Sequence, residues 1–136
     1  MKRKSFKIAA TATVALLAFA GIRVLEARQA PSVKRNILLK QDMTIPGREA
    51  IMALVELPPG SAEGKHSHSA ELYGYVLEGT PTLEIEGKPT TTLKAGDAFF
   101  IAPGQIHEGS NKGSAMVKLV AVFVAEKGKP LTTQAP

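Results

Sequence analysis

The feature that most limits what this chain can become is how quickly each of its apolar runs is stopped. Ile51-Met52-Ala53-Leu54-Val55-Glu56-Leu57 runs straight into Pro58-Pro59-Gly60. Leu72 to Leu77 is closed by Glu78-Gly79, and Ala98-Phe99-Phe100-Ile101 ends shortly before Pro103-Gly104. Thr82-Leu83-Glu84-Ile85-Glu86 alternates apolar and polar side chains before the turn at Gly87-Lys88-Pro89, and the β-branched segment Thr90 to Leu93 follows it. Met116 to Val124 is long enough to cross a whole sheet. After Ile37 no window sustains a period of about 3.6 residues, so helices have no amphipathic stripe from which to form. Short runs with turn signals about every eight to twelve residues predict an all-β sandwich or barrel. No internal repeat is visible, so the expectation is one barrel.

The 136 residues make one domain, and a hydrophobic content of 44% is that of a folded chain. Twelve Gly and nine Pro suit a turn-rich fold. There is no Cys, which excludes disulfides and thiolate chemistry and leaves nitrogen and oxygen as the donors for any metal. The formal charge of +5 is local: without Lys2, Arg3, Lys4 and Lys7 the chain carries 13 basic against 12 acidic residues. A nearly neutral body gives no reason to expect a nucleic-acid partner.

The basic start is followed by an uncharged, largely apolar run from Ile8 to Ile22. This pattern predicts a secretory signal over residues 1–20, with Ala18-Phe19-Ala20 as the cleavage signal and Leu25-Glu26-Ala27 as a poorer alternative. A spanning helix needs about 20 apolar residues, so an uncleaved membrane anchor is the second reading. Residues 21–36 are expected to be a mobile lead-in, 37–127 the barrel and 128–136 a tail. A periplasmic or secreted location follows, with no membrane contact for the mature domain.

His66, His68 and His107 are the chain's three histidines. On a strand, His66 and His68 point to one face, about 7 Å apart along the chain. Two such rings reach one ion if a third ligand approaches from a facing strand, and His107 follows the Pro103-Gly104 turn at the start of a new strand. The bland reading of the pair alone is two surface histidines.

Gly60-x5-His66-x-His68 leading on to Gly79 resembles the first motif of the cupin superfamily. Gly96-Asp97 through Pro103-Gly104-x2-His107-x3-Asn111 resembles the second, so the likeness covers roughly residues 50–124. It implies a single double-stranded β-helix, or jelly-roll barrel. It also implies that the three histidines bind a divalent transition metal: iron, manganese, zinc, nickel or copper. The chain departs from the pattern in two places. Ala102 stands where the second motif has its first proline, and Leu72 stands where the first motif has its carboxylate ligand. Glu71 lies one residue early, and strand parity predicts that Leu72 points inward with the histidines while Glu71 points out. Only a bulge would bring Glu71 to the ion.

Three neutral imidazoles leave the ion's charge uncompensated, which favours an anionic ligand such as hydroxide or an enolate. Every Arg lies at or before Arg48. Cupins that handle small carboxylic acids commonly hold them with Arg, so a neutral or enolisable compound is the expected substrate. The leading expectation is therefore an exported metal-dependent enzyme of the dioxygenase type. Glu71, Glu78 and Glu108 are candidate general bases, each with the plainer reading of a rim or loop carboxylate. Tyr73 and Tyr75 are expected on the outer face. Phe99 and Ile101 should share one face and Phe100 take the other. The alternatives are a module that captures metal or ligand without turnover, and a metal-free structural homodimer paired through the 115–124 strand.

Overall fold

A computed structural model describes residues 29–136. The expected signal peptide, its cleavage site and the first half of the lead-in lie outside the described residues. The described chain forms ten strands and no helix: β1 (Lys34–Asp42), β2 (Arg48–Leu57), β3 (His66–His68), β4 (Ala70–Glu78), β5 (Thr82–Ile85), β6 (Thr91–Thr92), β7 (Ala98–Ile101), β8 (His107–Ser110), β9 (Val117–Glu126) and β10 (Thr132–Gln134). They pair into two five-stranded antiparallel sheets, ordered β1-β2-β9-β4-β7 and β10-β3-β8-β5-β6. The fold is all-β, as the short stopped runs predict, and it is the double-stranded β-helix barrel that the resemblance implies.

The first sheet is built on period-two burial. Ile51, Ala53, Val55 and Leu57 of β2 point inward, as do Val117, Ala121, Phe123 and Ala125 of β9. The two strands pair over their whole length, from Arg48 opposite Glu126 to Leu57 opposite Val117. Leu57, Val76, Ile101 and Val117 are buried almost completely. Each such side chain contributes about 1.5–3 kcal/mol of transfer free energy. The parity expectations hold: Leu72 is buried, Tyr73, Tyr75 and Phe100 are exposed, and Ile101 lies in the core with Phe99 packed against it.

Turns and one amide join the sheets. Gly79 adopts a φ of +79°, and a Cβ there would lie 2.6 Å from the Met116 carbonyl, so the turn after β4 needs glycine. Asn111, just after β8, is buried and donates to the carbonyls of Leu57 and Ala115, both at 2.8 Å. Its Oδ1 accepts the Gly113 N–H at 3.0 Å. Every polar group of this side chain is therefore used to tie the end of β2 to the loop before β9.

The ordered barrel is wider at both ends than the expected 37–127. β1 begins at Lys34, inside the expected lead-in, and β10 lies inside the expected tail. Lys34-Arg35-Asn36 and Thr132-Thr133-Gln134 carry no apolar alternation, because all these residues are exposed, or half-exposed, edge-strand positions. Backbone pairing holds them instead, to β2 and to β3. The Thr90–Leu93 segment contributes only the two-residue strand β6.

Candidate metal centre

The second sheet brings the three histidines together. His66 on β3 is paired directly with His107 on β8, and His68 lies two residues along β3 on the same face. All three are buried, with 3, 6 and 3% of the side-chain-bearing residue exposed for His66, His68 and His107. One ligand nitrogen from each ring lies within 4.8 Å of the others. Ring centroids are 4.8, 4.4 and 5.1 Å apart for the three pairs.

What each ring does with its other nitrogen decides how the site can act. His66 Nδ1 donates to the Gly64 carbonyl at 2.7 Å, and His107 Nδ1 donates to the Gln105 carbonyl at 2.9 Å. His68 Nδ1 lies 3.2 Å from the Leu131 carbonyl and 3.1 Å from Thr132 Oγ1. A carbonyl oxygen only accepts, so each Nδ1 holds its proton and each Nε2 presents a lone pair. This is the arrangement by which outer partners fix ligating imidazoles. His68 and His107 also favour the neutral state that ligation requires. Burial pushes the His68 pKa down to about 4, helped by the neighbouring His66 and His107. Burial likewise lowers that of His107, against the raising effects of its Gln105 bond and of Glu63 nearby. Three fixed, neutral, converging imidazoles fit a divalent transition metal.

The histidines line a cavity of about 540 Å³, its open mouth included. Val55, Leu72, Leu83, Phe99, Leu119 and Phe123 make most of its wall. Phe99 lies flat over Gly74, where an added Cβ would sit 2.1 Å from the ring. Leu72 faces the cavity, while Glu71 stays on the other side of β4, accepting a bond from the Tyr73 hydroxyl at 2.8 Å. The β4–β9 ladder is regular from Ala70 to Val76, so no bulge turns Glu71 inward.

None of the three expected bases lines the cavity. Glu78 pairs with Lys118 outside. Glu108 accepts the Gly64 N–H at 3.0 Å and so braces the turn whose carbonyl holds His66. Two charged residues that the sequence reading passed over do line it: Glu63 and Arg35. Arg35 Nη2 donates to Glu63 Oε1 at 2.6 Å. A barrel without arginine would favour a neutral substrate, but β1, which begins inside the expected lead-in, brings Arg35 to the cavity wall. Glu63 stands three residues before His66 in a loop, where nothing but proximity to the motif marks it.

Residues 53–123 match the cupin domain family. The chain is a cupin. This cupin is 34% identical over 91 residues to the oxalate-binding protein of Thermotoga maritima, covering 65% of this chain and 72% of that one. Among solved structures it resembles a conserved protein with a double-stranded β-helix domain from Klebsiella pneumoniae, with a TM-score of 0.65 and 23% identity, over 78% of this chain and 89% of that chain. It also resembles oxalate oxidase in complex with the substrate analogue glycolate, with a TM-score of 0.58 and 25% identity over 64% of this chain. The cupin spans less than half of that enzyme's chain, 46%.

Proposed function

We propose that this protein is an exported, metal-dependent cupin whose three histidines hold one divalent transition ion and whose cavity takes a small, acidic oxygen chelator. The observation that carries the reading is the set of three Nδ1–H bonds, which leave three Nε2 lone pairs converging beside an apolar cavity. When bound, the ion supplies Lewis acidity and, if it is iron, a platform for oxygen chemistry. The chain's own groups do the rest. The histidines contribute no charge, so an ion held by them would keep its full charge and the site would favour an enolate or carboxylate oxygen. Leu72, Phe99 and Phe123 exclude water and receive the apolar remainder of the ligand. The candidate reaction is oxygenation of an enolisable carbonyl or phenolic compound.

The second reading is capture without turnover. It is favoured by the relative named an oxalate-binding protein, and by a cavity whose single carboxylate is already paired with Arg35. Elemental analysis of protein purified without chelators or tags tests both at their base. Close to one equivalent of transition metal is expected, and less than about a tenth overturns the metal reading. Oxygen uptake by the iron-loaded protein with diketones and phenols then separates enzyme from binder: oxalate held tightly with no product by mass spectrometry favours capture.

We further propose a homodimer through the outer face of the first sheet. Leu39, Met52, Val122, Tyr73 and Phe100 are register partners across all five of its strands, an unbroken apolar row on the side away from the core. β9 is the middle strand of that sheet, so its outward side chains lie within this face. Sedimentation should show a dimer, and Tyr73→Glu with Phe100→Glu should give a folded monomer; a monomeric parent protein would overturn the proposal.

A further inference from the structure

Arg35 and Glu63 are the formally charged residues of the cavity wall apart from the histidines. Arg35 stands opposite Val55 in the β1–β2 register and so shares its inward face. Glu63 is set beside β8, its N–H bonded to the Gly109 carbonyl at 2.9 Å. Its side chain occupies the room left by glycine: a Cβ at Gly109 would come within 2.6 Å of Glu63 Oε2. The Glu63 side chain is well covered, with 15% exposed, whereas 48% of the Arg35 side chain is exposed. A guanidinium offers five N–H donors, and its bond to Glu63 uses one. Among the described residues the other six ion pairs are made by Lys, so Arg35–Glu63 is also the one pair with the planar fork suited to a carboxylate.

We propose that this pair is an exchangeable latch at the cavity mouth, in which Glu63 is a built-in carboxylate that the carboxylate of a ligand replaces on Arg35. The inference rests on the cavity being the ligand site and names the class it selects: small dicarboxylates and keto- or hydroxy-carboxylates, with one oxygen pair for the ion and a further carboxylate oxygen for Arg35. A simple enolate has no group to exchange for Glu63 and gains nothing from the guanidinium. Glu63 sets a threshold only for ligands that reach Arg35, because a carboxylate that binds the guanidinium must first displace it. No proton or electron changes hands in the exchange; one ion pair is traded for another.

A double-mutant cycle tests the latch. Zinc-loaded wild type, E63Q, R35Q and the double variant are titrated with oxalate by calorimetry, with acetylacetone as the ligand that lacks a carboxylate. E63Q should tighten oxalate binding about tenfold and R35Q should weaken it about tenfold. In the R35Q background the E63Q gain should fall below about twofold, because it depends on freeing the guanidinium. Acetylacetone affinity should stay within about twofold throughout. An E63Q gain that survives intact without Arg35 is long-range electrostatics and overturns the latch, as do oxalate affinities that neither substitution moves. Wild type that takes up no zinc sinks the metal reading instead. The same cycle is then read on metal-free protein by NMR titration with oxalate, where coupling between the two sites supports the latch and additivity overturns it.

Discussion

The two sheets of this barrel divide the labour unevenly. The first has ten-residue strands in β2 and β9 and, among the described residues, holds twelve of the thirteen buried hydrophobic ones; Leu83 alone of these comes from the second. The second has strands of two to four residues, and five of the seven buried polar residues among those described lie on them, the three histidines included. A long strand with strict alternation is stable through burial and tolerates little inside it. A short strand cannot rely on burial, so its backbone and side chains are tied by bonds from turns: Gly104 N–H to the His68 carbonyl, Ser69 N–H to the Leu131 carbonyl, Ala135 N–H to the Lys65 carbonyl. The arrangement places buried polar groups where hydrogen bonds can satisfy them and leaves the apolar sheet as a rigid wall.

That division can be broken from either side. The largest effect is expected from His107→Ala, which takes one of three ligands from the second sheet. Metal content should fall from near one equivalent to below about a tenth while the far-ultraviolet circular dichroism stays that of the parent. The converse is Ile101→Ala in the first sheet, where a fully buried side chain is lost. Urea unfolding should show a loss of about 2–5 kcal/mol, with metal stoichiometry unchanged in the protein that remains folded. Asn111→Ala cuts the link between the sheets and leaves the Leu57 and Ala115 carbonyls without their donor. Its cost should be about 1–3 kcal/mol with metal bound less tightly as well, a combination of lost stability and lost affinity that neither single-sheet variant would show. The last effect concerns pH, and it appears only below neutrality. The folded pKa of His68 lies near 4 and the ordinary value is 6.5, so between these limits the unfolded chain binds more protons. Metal-free protein should therefore lose stability as pH falls through that window, and His68→Gln should lose less over the same range.

What the sequence revealed follows the same division. The first sheet was legible because alternation and abrupt stops are written into β2, β4, β7 and β9. Parity alone correctly placed Leu72 inside and Glu71 outside. In the second sheet the histidines stood out by type and spacing, and their convergence follows from the direct pairing of His66 with His107. The partners that make them useful did not stand out. Thr132 reaches His68 from 64 positions away, on a polar strand with no hydrophobic signal. Arg35 comes from an edge strand whose nine residues are all exposed, a pattern no periodicity can mark. Glu63 sits in a loop, where position is fixed by backbone bonds rather than by residue type. The three expected bases had the right chemistry on the wrong side of the sheet or the wrong end of a turn.

Gly74 and Phe99 give the cavity a property that its charges do not. The ring rests where a side chain at Gly74 would be, so the cavity's width is set by a missing methyl group on the first sheet. Glycine and alanine codons differ at a single base, as do those of phenylalanine and leucine. An alanine at Gly74 would have to displace the ring, and a leucine at Phe99 would put a smaller side chain in that part of the wall. Neither touches a histidine. In this barrel the size of the molecule admitted and the chemistry it meets are inherited separately, so a lineage can change its ligand without rebuilding its metal site.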